Sequence, residues 1–355
     1  MKERFDKFRA ILDREKLDGF LVTSPVNRNY LAGFSGSAGL LVFGPQKTWF
    51  LTDSRYTTQA GLEVKGAEVV LQTRFQLLDA AALVKKAGIR RLGFEATHVT
   101  VAAHEYLAKE LPKVKLVPTR RLVEELRLLK DGRELEALRQ AARLADRTFS
   151  HILSYIKPGV REQEIATEME YYMKQQGASG PAFETIVASG WRGALPHGIA
   201  SEKKIQMGEL VVMDFGCTFH HYHSDMTRTV AVGRVGALEK KVYGVVRRAQ
   251  QAAEDAVRDG AVCGAVDLKA RGLIARAGYG NRFGHGLGHG VGREVHEEPR
   301  LGPRLKDKLK AGMLVTVEPG VYLPGRLGVR VEDLLVVTPR GSENLYRTTK
   351  ELITV

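Results

Sequence analysis

Four acids stand inside otherwise apolar segments of the second half of the chain, and they come in two matched pairs. Asp214 ends the run V-V-M-D-F-G and Asp225 opens D-M-T-R-T-V-A-V; Glu318 closes L-V-T-V-E-P-G and Glu332 sits in V-R-V-E-D-L-L-V-V. A carboxylate within a buried strand is costly unless it is paired or bound to a cation. If the first two segments form a hairpin with its tip near Phe219 and His220, Asp214 and Asp225 are equidistant from the tip and face each other. A second hairpin turning at Leu323-Pro324-Gly325-Arg326 sets Glu318 opposite Glu332. Opposed residues on one face hold their Cβ atoms about 5 Å apart, so each pair repels unless a cation lies between. For one acid alone, an ion pair with an arginine such as Arg228 or Arg330 is the ordinary expectation. For four acids in two matched hairpins, metal is the better one.

Charge balance then gives the number of ions. Two divalent cations cancel four carboxylates, whereas one leaves a large residual. Carboxylates with a single imidazole are fairly hard donors without thiolate, which manganese, cobalt, iron or zinc tolerates. Two such ions a few ångströms apart can hold a bridging hydroxide and polarise a carbonyl, which is the arrangement of a hydrolase.

The histidines concentrate in F-G-H-G-L-G-H-G-V-G-R-E-V-H-E-E-P, from Phe283 to Pro299, which carries His285, His289 and His296. Glycine is entropically costly, so a run this rich in it needs a reason, such as a backbone passing close to a metal centre. Its spacing is not the G-x-G-x-x-G of a dinucleotide loop. His220, His221 and His223 fall on the expected hairpin tip and read as exposed loop residues. His98, His104 and His151 carry no signal.

At 355 residues the chain is long enough for two domains, and with 44% hydrophobic residues each can bury a core. Residues 1–122 alternate helix and strand signals, with a helix over Met1–Lys16, a strand over Gly19–Thr23 and a hairpin of Leu40–Phe43 with Thr48–Thr52. Residues 123–355 open with a helix after Asp131, where Glu134 completes a capping-box pattern, and continue with mostly antiparallel strands and one long helix near 237–259. The expected class is therefore α+β with a smaller N-terminal α/β domain. Two cysteines, Cys217 and Cys263, are too few for a disulfide framework or a zinc cluster. No apolar window approaches the ~18 residues of a membrane span, and the charged N-terminal helix pattern is not a secretory signal, so a cytoplasmic protein is expected. The formal charge of +13 keeps nucleic acid in view, but the basic residues are scattered among acids, and no nucleic-acid partner is expected.

D-F-G with the second aspartate downstream, then G-H-G-L-G-H-G-V-G-R-E-V-H-E-E-P, V-E-P-G-V-Y and V-R-V-E-D, resembles the pita-bread metallopeptidases, which include methionine aminopeptidase, aminopeptidase P and prolidase. The resemblance covers residues from about 131 to 355. It implies two divalent ions per chain, manganese first and cobalt, zinc or iron as alternatives. Asp214 would chelate one ion, Asp225 and Glu332 would bridge both, and His289 and Glu318 would hold the other. Glu318 would also take the proton of the attacking water. His197, His285 and His296 would face substrate as outer catalytic imidazoles, and the glycines would let the loop approach the ions. N-Y-L-A-G-F-S-G-S-A-G and L-T-D-S-R-Y-T-T-Q-A in the first domain resemble the proline-specific branch, more in the manner of aminopeptidase P than of prolidase. That implies a peptide substrate with proline second, Xaa-Pro aminopeptidase activity first and Xaa-Pro dipeptidase activity second. It also implies a homodimer in which the first domain completes the pocket. Arg55, Arg300 and Arg330 are the expected substrate-binding residues, with a local ion pair to Asp53 as the plainer role for Arg55. Metal-free pita-bread proteins that only bind peptide or nucleic acid, and creatinase-like hydrolases, usually lack several of the ligands, and all five are present here.

Overall fold

The structure is a computed structural model that describes residues 2–355. It divides into one compact unit ending at Arg127 and a second from Leu128 to Val355. The first unit runs past the expected division at 122, because Val123 of the helix Leu122–Arg127 is buried in the same cluster as Phe5, Phe8 and Phe20.

The first unit is built on a six-stranded mixed sheet. Gly19–Val22 lies at its centre, antiparallel to Leu40–Phe43 and parallel to Arg91–Glu95. Both faces are buried, and the period-2 alternation of a strand sorts the side chains: Phe20 and Val22 enter one core cluster, Leu21 the other. The expected hairpin Leu40–Phe43 with Thr48–Thr52 forms in register. The helix Pro25–Ala32 was not anticipated; Ser24 caps it, and Gly33 ends it at φ 84°.

The second unit packs antiparallel strands beneath two helix pairs. Gly132–Ile152 and Glu162–Gln175 cover one cluster, with Leu138, Ala145 and Met169 on Val211, Met213 and Met226. Ala237–Glu254 and Cys263–Ile274 cover the other, with Val242, Val246 and Ala270 on Val315, Val317 and Leu335. The capping box forms at Asp131, whose carboxylate accepts from the amides of Arg133 and Glu134, both at 2.9 Å, while Glu134 accepts from the Asp131 amide at 2.8 Å. The other Glu134 oxygen accepts from the Tyr222 hydroxyl at 2.7 Å, tying the start of this helix to the following hairpin. The helix Cys263–Ile274 escaped the sequence reading because no side chain caps its N-terminus.

Two registers place the acids. Leu210–Phe215 pairs with Met226–Ala231 so that Thr227, not Asp225, stands opposite Asp214. The tip lies at His220 and His221, with φ of 47° and 66°, between the partners Phe219 and Tyr222. A tip one residue later than the expected centre shifts the whole ladder by two. The two aspartates are therefore diagonal neighbours on one face rather than direct partners. The other hairpin turns at Gly325, φ 73°, as expected. Gly320 pairs with Arg330 and Val317 with Asp333, which leaves Glu318 and Glu332 facing each other in the gap between two ladder segments.

Candidate metal centre

Asp214, Asp225, His289, Glu318 and Glu332 converge on one cavity of about 570 Å³, whose wall also includes His197, His285, His296, Arg300 and Arg330. Asp225 and Glu318 adjoin strand ends and Glu332 sits in a break between two ladders, while Asp214 is the penultimate residue of Leu210–Phe215. His289 lies in the short strand Gly288–Gly290. Its glycines are required by neighbouring backbone: a Cβ on Gly288 would sit 2.0 Å from the Thr316 carbonyl oxygen, and one on Gly290 would sit 2.2 Å from that of Glu298. The close approach that these two glycines permit is to the flanking strands. The His289 amide donates to Thr316 Oγ1 at 3.0 Å, and its Nδ1 faces the Gly290 carbonyl at 3.1 Å, which turns Nε2 toward the acids.

That Nε2 lies 3.3 Å from Glu318 Oε1 and 3.6 Å from Asp225 Oδ2. Asp225, His289 and Glu332, all buried, each offer a ligand atom within 4.8 Å of the others. The electrostatics show the strain of gathering acids out of water. Burial and then the Asp214 carboxylate push Asp225 well above the usual carboxylate range; burial and then Asp225 do the same to Glu332. Burial also raises Asp214, against the opposing Arg330 guanidinium. Burial pushes Glu318 up, but the hydrogen bond and charge of His289, together with His285 and Arg330, bring it below its ordinary value. For His289 burial pulls down, but Glu318 and Asp225 prevail and lift it to about 9. Asp214 Oδ1 is buried without a hydrogen-bond partner. Repelling hard oxygen donors, one imidazole and an orphaned carboxylate oxygen are what divalent cations would satisfy.

Residues 136–339 match metallopeptidase family M24, and residues 4–129 match the creatinase/prolidase N-terminal domain. The chain belongs to metallopeptidase family M24. Among relatives of this metallopeptidase, an Xaa-Pro dipeptidase of Pyrococcus furiosus is 37% identical over 99% of this chain and 100% of its own length. A solved structure titled Xaa-Pro dipeptidase from Bacillus anthracis is 42% identical, covers 100% of this chain and 99% of that one, and superposes with a TM-score of 0.97. An X-Pro aminopeptidase structure from Thermotoga maritima is 35% identical, covers 96% and 98%, and has a TM-score of 0.90.

The outer residues of this M24 enzyme divide by how they are held. His285 is half-buried, its Nε2 2.9 Å from the Tyr322 hydroxyl, and burial holds its pKa below the usual histidine value. Burial, then the neighbouring His289, lowers His296 as well. His197 and Arg300 are exposed on the wall. Arg330, expected to bind substrate, is buried and engaged within the wall instead. Its guanidinium donates to Thr227 Oγ1 at 3.0 Å, the Pro196 carbonyl at 3.0 Å and the Tyr322 hydroxyl at 2.8 Å, and it pairs with Asp214. Arg228 pairs with Asp333, not with a member of the cluster.

In the first unit, Arg55 forms the local pair with Asp53, at 3.0 and 2.7 Å, while remaining 70% exposed. At the hairpin tip His220 and His221 are exposed, but His223 is half-buried, 2.9 Å from Thr218 Oγ1 and 3.1 Å from the Arg293 carbonyl. Two residues that hold wall side chains in place were not anticipated. Thr227 donates to Glu332 Oε2 at 2.6 Å while accepting from Arg330, and Tyr322 joins Arg330 to His285. Thr227 becomes legible only once its register opposite Asp214 is known.

Proposed function

We propose that this metallopeptidase is an Xaa-Pro dipeptidase that works with two divalent ions, manganese first among them. The observation that carries the dipeptidase reading, ahead of the aminopeptidase favoured by the loop motifs, is Arg300. It is the ladder partner of His289, lines the cavity, and has no hydrogen-bond or ion-pair partner among the described residues. An exposed guanidinium beside the reacting centre matches the carboxylate of a proline that ends the substrate. The Pyrococcus furiosus and Bacillus anthracis relatives support the same choice.

Asp214 would hold one ion, His289 and Glu318 the other, with Asp225 and Glu332 shared. Ions bound there supply Lewis-acid polarisation of the scissile carbonyl and a water acidified toward neutrality. The side chains do the rest. Glu318 would take the proton from the attacking water and deliver it to the proline nitrogen. His285, held by the Gly286 carbonyl at Nδ1 and by Tyr322 at Nε2, would border the place where charge develops on the carbonyl oxygen. His296 and Arg300 would hold the proline carboxylate, with His197 at the mouth. Thr227 and Arg330 would orient Glu332 and Asp214.

The test sets Leu-Pro beside Leu-Pro-Gly, using protein stripped by a chelator and then titrated with manganese. Dipeptide hydrolysis should dominate, vanish on chelation and return as about two equivalents bind. Cleavage of the tripeptide with the dipeptide left intact would instead establish the aminopeptidase, and full activity in metal-free protein would remove the metal reading.

A further inference from the structure

The cavity wall carries one acid that the metal cluster does not use. Glu184 lines the wall, is exposed, and has no hydrogen bond or ion pair among the described residues. The other wall acids are all engaged: Asp214 by Arg330, Asp225 and Glu318 by His289, Glu332 by Thr227. The neighbouring strand locates Glu184. Ile186, the first residue of the strand Ile186–Ser189, is the ladder partner of Asp214, and Glu184 lies two residues before it on the same cavity wall, while Thr185 between them is buried. Glu184 therefore belongs to the Asp214 end of the cavity. Arg300, across from His289, belongs to the other. The wall around Glu184 is apolar, with Phe183, Ile186 and Ile199. An unpaired carboxylate at the rim of an apolar wall suits a side chain with a long methylene stem and a cationic head: the stem covers the apolar surface and the head reaches the acid.

We propose that Glu184 is a specificity-determining residue that favours lysine or arginine before the proline and disfavours aspartate or glutamate there. The proposal rests on the reading of the site as one that cleaves Xaa-Pro bonds with the proline carboxylate toward Arg300. That orientation puts the first residue on the Asp214 side. The other acids of the wall are engaged, Asp214 by Arg330, Asp225 and Glu318 by His289 and Glu332 by Thr227, so a substrate cation meets Glu184 as the one wall carboxylate without a partner among the described residues.

The experiment measures kcat/KM of the manganese-loaded full chain for Lys-Pro, norleucyl-Pro and Glu-Pro. Norleucine keeps the stem of lysine and removes the charge. Lys-Pro should exceed norleucyl-Pro by about two- to fivefold, the range an exposed ion pair supplies, and the preference should shrink as salt is raised. Glu184→Gln should bring that ratio toward one, and Glu184→Lys should move preference to Glu-Pro. Because each ratio is taken within one variant, a general loss of activity cancels. A ratio near one in the unmodified chain, or the same ratio in Glu184→Gln, overturns the proposal. So does an equal loss for all three substrates, which would mean that Glu184 receives the α-ammonium group instead. If only tripeptides are cleaved, the dipeptidase reading fails, and the same ratio measured on Lys-Pro-Gly and norleucyl-Pro-Gly still decides the role of Glu184.

Discussion

Glu332 and Arg300 share the cavity but are held in opposite ways. Glu332 is buried, accepts from Thr227 at 2.6 Å, and offers a ligand atom within 4.8 Å of those of Asp225 and His289. Arg300 is exposed and bonded to nothing else in the chain that the structure describes. Removing a shared ligand should disorganise both ions, whereas removing an outer cation should weaken only substrate binding. Glu332→Ala is therefore expected to lower kcat about a thousandfold, what roughly 4 kcal/mol of lost transition-state stabilisation amounts to, and to reduce bound metal. Arg300→Ala should chiefly raise KM, by about ten- to a hundredfold for a lost charge-assisted contact, with metal content unchanged. Steady-state kinetics with elemental analysis separates the two, and similar kcat values would deny Glu332 its shared position. At this scale the acids that converge were legible because an acid in an apolar strand is conspicuous. Which acid Arg330 meets was not legible, because its sequence neighbours say nothing of Asp214 across the sheet.

At the scale of elements, the glycine-rich strand is governed by its flanking backbone. Gly288 leaves no room for a Cβ beside the Thr316 carbonyl, while Gly284 has nothing within 4 Å. Gly288→Ala should force the Gly288–Gly290 strand off its neighbour, displace His289, and cost about 1–3 kcal/mol or more of stability. Gly284→Ala should change thermal unfolding and activity little. Equal tolerance of both would show that the strand can shift without carrying His289 with it. The ladder explains why the two hairpins differed in predictability. Gly325 supplies a positive φ at the symmetric centre of one hairpin, so the midpoint argument worked. In the other, the tip uses His220 and His221 in the left-handed region, conformations that histidine adopts rarely and that no glycine announces.

For the whole molecule, the sequence motifs of the first unit suggest a homodimer in which Arg55 contributes to substrate handling. Light scattering should give twice the chain mass, and Arg55→Ala should alter the ratio of dipeptide to tripeptide cleavage with folding and metal content intact. A fully active monomer removes the shared pocket. An unchanged ratio leaves Arg55 to its pair with Asp53, which its two hydrogen bonds at 3.0 and 2.7 Å already provide.

The sequence by itself determined the class of fold, the metallopeptidase family, the acids that gather and the hairpin that opposes Glu318 to Glu332. These follow from local patterning: apolar alternation, a capping box at Asp131, and carboxylates where burial alone would forbid them. Only the tertiary structure decided that Thr227 rather than Asp225 faces Asp214, that Arg330 is bound within the wall, and that Glu184 is left over. Those outcomes depend on which partner each side chain meets across strands far apart in the chain. A register shift of two residues keeps the same face toward the cavity, so the pattern of apolar and polar residues along the strand cannot distinguish one partner from the next.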